Sequence, residues 1–216
     1  MSGQTTPVLL KNGPKKAKWT IALAHGAGAS MSNRFMDSFA EGLADKGFQV
    51  VRFEFPYMAE RGRTGRKRPP DREAVLRETW KLVIESLGNE RLIIGGKSMG
   101  GRIASLVADE FQVAGLVCLG YPFHPSGKPD KLRIEHLQDI QTPTLILQGT
   151  RDKFGDKTEV DGYALADTVR THWLPDGDHS FQPGKNSDRT VEQNYKNAIR
   201  QIVRFIAEID GDMQVE

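Results

Sequence analysis

Six short apolar runs punctuate the chain: WTIALAH (19–25), FQVVRFEF (48–55), RLIIGG (91–96), VAGLVCLG (113–120), TPTLILQG (142–149) and VRTHWLP (169–175). Most are apolar on successive residues rather than alternately. That is the pattern of strands buried on both faces, as in a parallel sheet covered by helices. Segments of helical period separate them. SNRFMDSFAEGLADKG brings Phe35, Phe39 and Leu43 onto one stripe, with Ser32 as N-cap and Gly47 as stop. DREAVLRETWKLVIESLG aligns Val75, Leu76, Trp80, Val83, Ile84 and Leu87, and again ends at glycine. MGGRIASLVADEF predicts a helix after Ser98, and RTVEQNYKNAIRQIVRFIAEI a long C-terminal one. The alternation predicts an α/β protein, a single domain over 1–216 with a mostly parallel sheet of about six to seven strands and right-handed crossovers. TPVLL is a candidate edge strand. The connection PYMAERGRTGRKRPPD (56–71) is expected to be irregular, because its glycines and prolines break regular structure.

Composition narrows the class. A chain of 216 residues with 38% apolar and 27% charged content suits one soluble domain with a sizeable core. A formal net charge of +2 is too small to argue for a nucleic-acid partner. No apolar run approaches the ~20 residues that span a bilayer. The N-terminal MSGQTTPVLLKNGPKKAKW lacks the apolar stretch of a secretory signal. The single cysteine, Cys118, lies in an apolar run and reads as a small buried hydrophobe. A reducing, cytoplasmic compartment is expected.

The candidate chemistry centres on LIIGGKSMGGRIA (92–104). Ser98 falls where a strand ends and a helix begins, and in a doubly wound sheet ligands sit beyond the carboxyl ends of the strands. A sharp turn there leaves little room for a Cβ two residues before and two after the serine. Gly96 and Gly100 occupy those positions, giving G-x-S-x-G. A phosphate loop would need glycine where Arg91 stands.

A serine hydroxyl needs a base to take its proton, and the base needs a carboxylate to orient it. In this architecture the acid and then the histidine follow the serine, each at the end of a later strand. Asp152 lies just past TPTLILQG, and His179 in the DGDHSF loop after VRTHWLP. The other histidines fit less well: His25 precedes the serine, His124 follows LGYPF, His136 sits in a short helical stretch and His172 within a strand. Asp156 lies a turn further on, and Asp176 and Asp178 are too near His179 in sequence to reach it. The loop YPFHPSGKPD has no carboxylate before Asp130. Ordinary readings stay open, Asp152 as a helix N-cap and His179 as a loop histidine. For an oxyanion, the backbone N–H of Met99 and that of Ala27 in AHGAGAS are the candidate donors.

Together, AHGAGA, GGKSMGG, QGTRDKFG and GDHSF resemble the α/β-hydrolase superfamily, and more narrowly its small, lidless, dienelactone-hydrolase-like members. The resemblance spans about residues 19–209. It implies the α/β-hydrolase fold, with Ser98 as nucleophile, Asp152 as acid, His179 as base, and Ala27 with Met99 as oxyanion donors. Authentic dienelactone hydrolases carry cysteine at the elbow, so their substrate is not carried over to a chain with serine.

The connection between Gly120 and Pro143 is short and carries Pro122, Pro125 and Pro129, leaving no room for a substantial cap. An open site for small esters is expected, with Tyr57, Phe123, Phe154 and Phe181 as candidate walls, each of which reads equally well as core. The basic run 61–68 has three readings. Arg66 and Arg68 recognise an anionic substrate, the run contacts an acidic or nucleic-acid partner, or it is a solvated loop. The leading expectation is a serine hydrolase acting on a small ester or thioester, with no metal or organic cofactor. The competing class is a hydrolase-like binding scaffold that uses loop 61–68. Oligomeric state has no signature in the chain.

Overall fold

A computed structural model describes residues 6–211. The strands are β1 (Leu9–Asn12), β2 (Thr20–Ala24), β3 (Gln49–Phe53), β4 (Leu92–Lys97), β5 (Gly115–Leu119), β6 (Thr144–Gly149) and β7 (Val169–Leu174). They form one sheet in the order β1-β3-β2-β4-β5-β6-β7. β1 runs antiparallel to β3, and every other neighbouring pair is parallel. All six apolar runs become strands, and TPVLL feeds the antiparallel edge. Every residue of β5 and β6 is buried, whereas the edge strands β1 and β7 keep partial exposure. In VRTHWL, Val169 and Trp173 pack on one core and Leu174 on the other, while Arg170 at the sheet's edge is exposed, which accounts for the mixed pattern.

The helices are α1 (Arg34–Ala44), α2 (Pro56–Thr64), α3 (Glu73–Leu87), α4 (Met99–Ser105), α5 (Lys157–Val160) and α6 (Val191–Asp210). Met36, Phe39 and Leu43 of α1 join Ala198, Ile202 and Phe205 of α6 against Ile21, Leu23, Val117 and Leu147 on one sheet face. Leu76, Trp80, Val83 and Ile84 of α3 join Ile103 and Ala104 of α4 against Ala22, Ile94, Leu116 and Ile146 on the other. The Trp80 ring meets Phe53 edge-on at 4.7 Å. Each such buried apolar side chain contributes about 1.5–3 kcal/mol. Cys118 is fully buried among them.

Three local expectations are corrected. Asn33, not Ser32, caps α1: its Oδ1 accepts from the amides of Phe35 at 3.0 Å and Met36 at 3.2 Å. The helix after Ser98 is short, ending at Ser105. Most important, the connection 56–71 is not wholly irregular, because α2 occupies 56–64. Pro56 sits at the start of α2, where its missing N–H costs nothing, and Gly65 closes it with φ +71°. The residues read as breakers are the helix's own terminal signals. Between β5 and β6 the only helix is a 3₁₀ turn, Glu135–Gln138, so among the described residues this connection forms no substantial cap over the carboxyl end of the sheet.

Candidate active site

Ser98 stands between β4 and α4 with φ +52° and ψ −116°, a conformation L-residues rarely adopt. The turn is tight because β4 and α4 press on β2. A Cβ at Gly96 would lie 2.1 Å from the carbonyl oxygen of Ala24, and one at Gly100 would lie 2.4 Å from the same atom. The spacing G-x-S-x-G is therefore a steric requirement of this crossing.

Asp152 and His179 come to Ser98 from the ends of β6 and β7. Asp152 is fully buried. Its Oδ1 accepts from the Phe154 amide at 2.9 Å, and its Oδ2 from Gln148 Nε2 at 3.0 Å. His179 Nδ1–H donates to the same Oδ2 at 2.7 Å. A carboxylate can only accept, so Nδ1 carries the proton and Nε2 is the acceptor. Ser98 O–H donates to that Nε2 at 2.8 Å. The loop bearing His179 is fixed from below: Asn194 Nδ2 of α6 donates to the Phe181 carbonyl at 2.9 Å and to the Pro175 carbonyl at 3.2 Å. The Phe154 ring lies 4.4 Å from the imidazole. Burial holds the His179 pKa below 6.5, against the opposing pull of Asp152, and Lys97 lowers it further. Burial thus favours the neutral imidazole, the form that can act as an acceptor for the Ser98 hydroxyl.

Lys97, next to the serine, was not singled out from sequence. Its Nζ donates to the His179 carbonyl at 2.5 Å and lies 5.3 Å from the centre of the Phe35 ring. Burial pulls its pKa down to about 7, against the attraction of Asp152 and Asp178.

The loop after β2 is braced from outside the site. His25 is fully buried; its Nδ1–H donates to the Gly26 carbonyl at 2.7 Å, and its Nε2 accepts from the Phe55 amide at 3.2 Å. Burial keeps this imidazole below its usual pKa despite the bond to Gly26. Tyr57 O–H donates to the Ala27 carbonyl at 3.0 Å, and Arg61 to the Gly28 carbonyl at 3.2 Å. With three successive carbonyls held, the amides of Ala27 and Met99 have no acceptor among the described residues. Both residues line the cavity that contains Ser98.

That cavity measures about 350 Å³ and is walled further by Pro70, Leu76, Arg102, Pro122, Arg133 and Phe154, with Asp71 and Glu73 at its side. Of the four aromatic candidates only Phe154 lines it. Phe123 and Phe181 are fully buried in the two cores, Phe123 beside Tyr121 and Tyr163, Phe181 beside Phe35 and Phe39. Tyr57 is buried behind the loop it braces. Arg66 is exposed and outside the wall. Arg68 is paired with Glu60 and, at 3.3 Å, with Asp71. Arg102 and Arg133 were missed because nothing local marks them; they reach the cavity from α4 and from the connection after β5. Among the described residues no group of three or more His, Cys, Asp or Glu is placed to hold a metal ion, and no helix is long and apolar enough to cross a membrane.

Residues 17–207 match the model of a family described as an alpha/beta hydrolase domain. The chain belongs to that family, which is one of hydrolases. Solved structures agree on the fold. A lidless α/β serine hydrolase from Xanthomonas campestris is 21% identical, covering 91% of this chain and 87% of its own, with a TM-score of 0.67. Est1E from Butyrivibrio proteoclasticus, with ferulic acid bound, is 13% identical over 93% and 95%, TM-score 0.69. A monoacylglycerol lipase from Paleococcus ferrophilus is 15% identical over 93% and 100%, TM-score 0.68.

Proposed function

We propose that this chain is a serine hydrolase that cleaves a small ester or thioester through an acyl-enzyme intermediate. The reading rests on one continuous relay: the 2.8 Å contact from the Ser98 hydroxyl to His179 and the 2.7 Å contact from His179 to Asp152. His179 takes the hydroxyl proton as Ser98 Oγ attacks the carbonyl carbon. The amides of Ala27 and Met99 receive the resulting oxyanion, each such donor supplying about 3 kcal/mol to the transition state. The imidazolium passes its proton to the leaving alcohol or thiol. Water then attacks the acyl-serine with His179 as base, and the acid is released. Asp152 holds the ring and stabilises its charged form.

The lidless architecture favours small or exposed acyl groups over long buried chains. The binding-scaffold reading through loop 61–68 has weaker support, since Arg61 and Arg68 are engaged within the chain. The test is pre-steady-state hydrolysis of 4-nitrophenyl acetate. A burst of nitrophenolate stoichiometric with protein, abolished in Ser98→Ala, is expected. Hydrolysis unchanged by Ser98→Ala would overturn the proposal.

A further inference from the structure

The charges around the cavity beside Ser98 balance in number, with Asp71 and Glu73 on its wall and Glu60 nearby, but they are unevenly paired. Three arginines stand at or near its wall. Arg102 pairs with Glu73 at 3.1 Å, and Arg68 is taken by Glu60 and Asp71. Arg133 lines the wall but has no carboxylate partner and no hydrogen-bond acceptor for its guanidinium among the described residues. It is also half-buried, and its neighbour Arg102 repels it. Burial and that repulsion both lower its pKa. A guanidinium taken partly out of water without a counter-charge is costly unless something else supplies one.

Its position is fixed by the main chain rather than by the side chain. The Arg133 amide donates to the Phe123 carbonyl at 2.8 Å, and its carbonyl accepts from Tyr121 O–H at 2.8 Å. The side chain is therefore presented from a rigid base while its five donors stay uncommitted.

We propose that Arg133 is a specificity-determining residue that receives a carboxylate carried by the ester substrate. The inference rests on the hydrolase reading and adds a substrate class to it, namely half-esters of small dicarboxylic acids or O-acyl esters of hydroxy acids, both of which keep a free carboxylate. A guanidinium fork binds a carboxylate through two parallel N–H···O bonds. The cavity, at about 350 Å³, is at the small end for ligand sites, which suits a short anionic substrate. The sequence had suggested the exposed Arg66 and Arg68 for this role; Arg133 replaces them.

Two measurements separate this inference from the catalytic reading. The first is binding to the Ser98→Ala protein, which does not turn over, by calorimetric titration with monomethyl glutarate and with dimethyl glutarate. The charged half-ester is expected to bind about 10- to 100-fold more tightly. Arg133→Gln removes that preference, and Arg133→Lys keeps part of it. Equal affinity for the two esters, binding of neither, or a preference that survives Arg133→Gln would overturn the inference. Inorganic phosphate competing more strongly than glutarate would overturn the assignment to a carboxylate. The second measurement is the ratio of kcat/KM for 4-nitrophenyl hydrogen glutarate over its methyl ester, which is expected to fall by about the same factor in Arg133→Gln. Binding with the expected preference but no hydrolysis would sink the hydrolase reading alone. Hydrolysis without preference would sink the role of Arg133 alone.

Discussion

Replacing Asp152 by asparagine changes one atom and forces a choice of hydrogen bonds. The carboxylate accepts three: from the Phe154 amide at Oδ1, and from Gln148 Nε2 and His179 Nδ1 at Oδ2. An asparagine offers one oxygen and one NH₂ to the same partners. If its oxygen faces Phe154, the NH₂ faces His179 and Gln148. The Gln148 amide then loses little, because it also reaches the carbonyls of Tyr121 at 3.1 Å and Gly155 at 3.0 Å. If instead the NH₂ faces Phe154, that amide loses its acceptor, at about 1–3 kcal/mol. The first arrangement wins by roughly that amount. It offers a donor to His179 Nδ1, so the ring must carry its proton on Nε2 and can no longer accept from Ser98. A tautomer preference of about 1–3 kcal/mol removes about 80–99% of the competent base. Loss of the charge that stabilises the imidazolium adds to this, for a total fall in kcat of order 10³- to 10⁴-fold. KM is expected to change little. Steady-state hydrolysis of 4-nitrophenyl acetate measures both constants, and the thermal melt checks that the fold survives. Activity within about tenfold of wild type in a folded Asp152→Asn protein would refute the assignment of base and orienting acid.

Other perturbations reach the supports of the site. Tyr57→Phe removes the bond to the Ala27 carbonyl, worth about 1 kcal/mol, and is expected to lower kcat roughly fivefold with KM little changed; an equal rise in KM would argue against a brace on the oxyanion loop. Gly100→Ala forces a Cβ to within 2.4 Å of the Ala24 carbonyl and 2.7 Å of the His25 carbonyl. Denaturant titration should show a loss of at least about 2 kcal/mol, whereas Gly28→Ala, whose Cβ meets nothing within 4 Å, stays near wild type. His136 contacts Ser105 Oγ at 2.8 Å, and burial and the Arg102 charge depress its pKa to about 4. Its folded value lies below its unfolded one, so the stability it supports is complete above about pH 6.5. That stability is lost as pH falls toward 4. His136→Gln is expected to flatten the stability profile across that window; an unchanged slope would contradict the depressed value.

The chain discloses its sheet more readily than its cavity. Strands buried on both faces show as unbroken apolar runs, and α1, α3 and α6 carry stripes long enough to read. The glycines around Ser98 mark a close crossing, and Asp152 and His179 fall in the loops that follow later strands, so their positions are visible from order alone. Helix α2 was hidden because Pro56 and Gly65, its terminal signals, are also the residues of irregular loops. Phe123 and Phe181 were ambiguous because an aromatic side chain suits a core and a pocket wall equally, and only the packing decides. Lys97, Arg102 and Arg133 carry no local signature; each gains its meaning from partners or vacancies far away in the chain.

The most direct test of a reactive serine is covalent capture. The protein is incubated with a fluorophosphonate and the adduct is located by peptide mass spectrometry. One adduct on Ser98 is expected, absent in Ser98→Ala and slowed at least about tenfold in His179→Gln. No adduct on the folded wild-type protein, or an adduct elsewhere with Ser98 unmodified, would contradict an activated nucleophile at the end of β4.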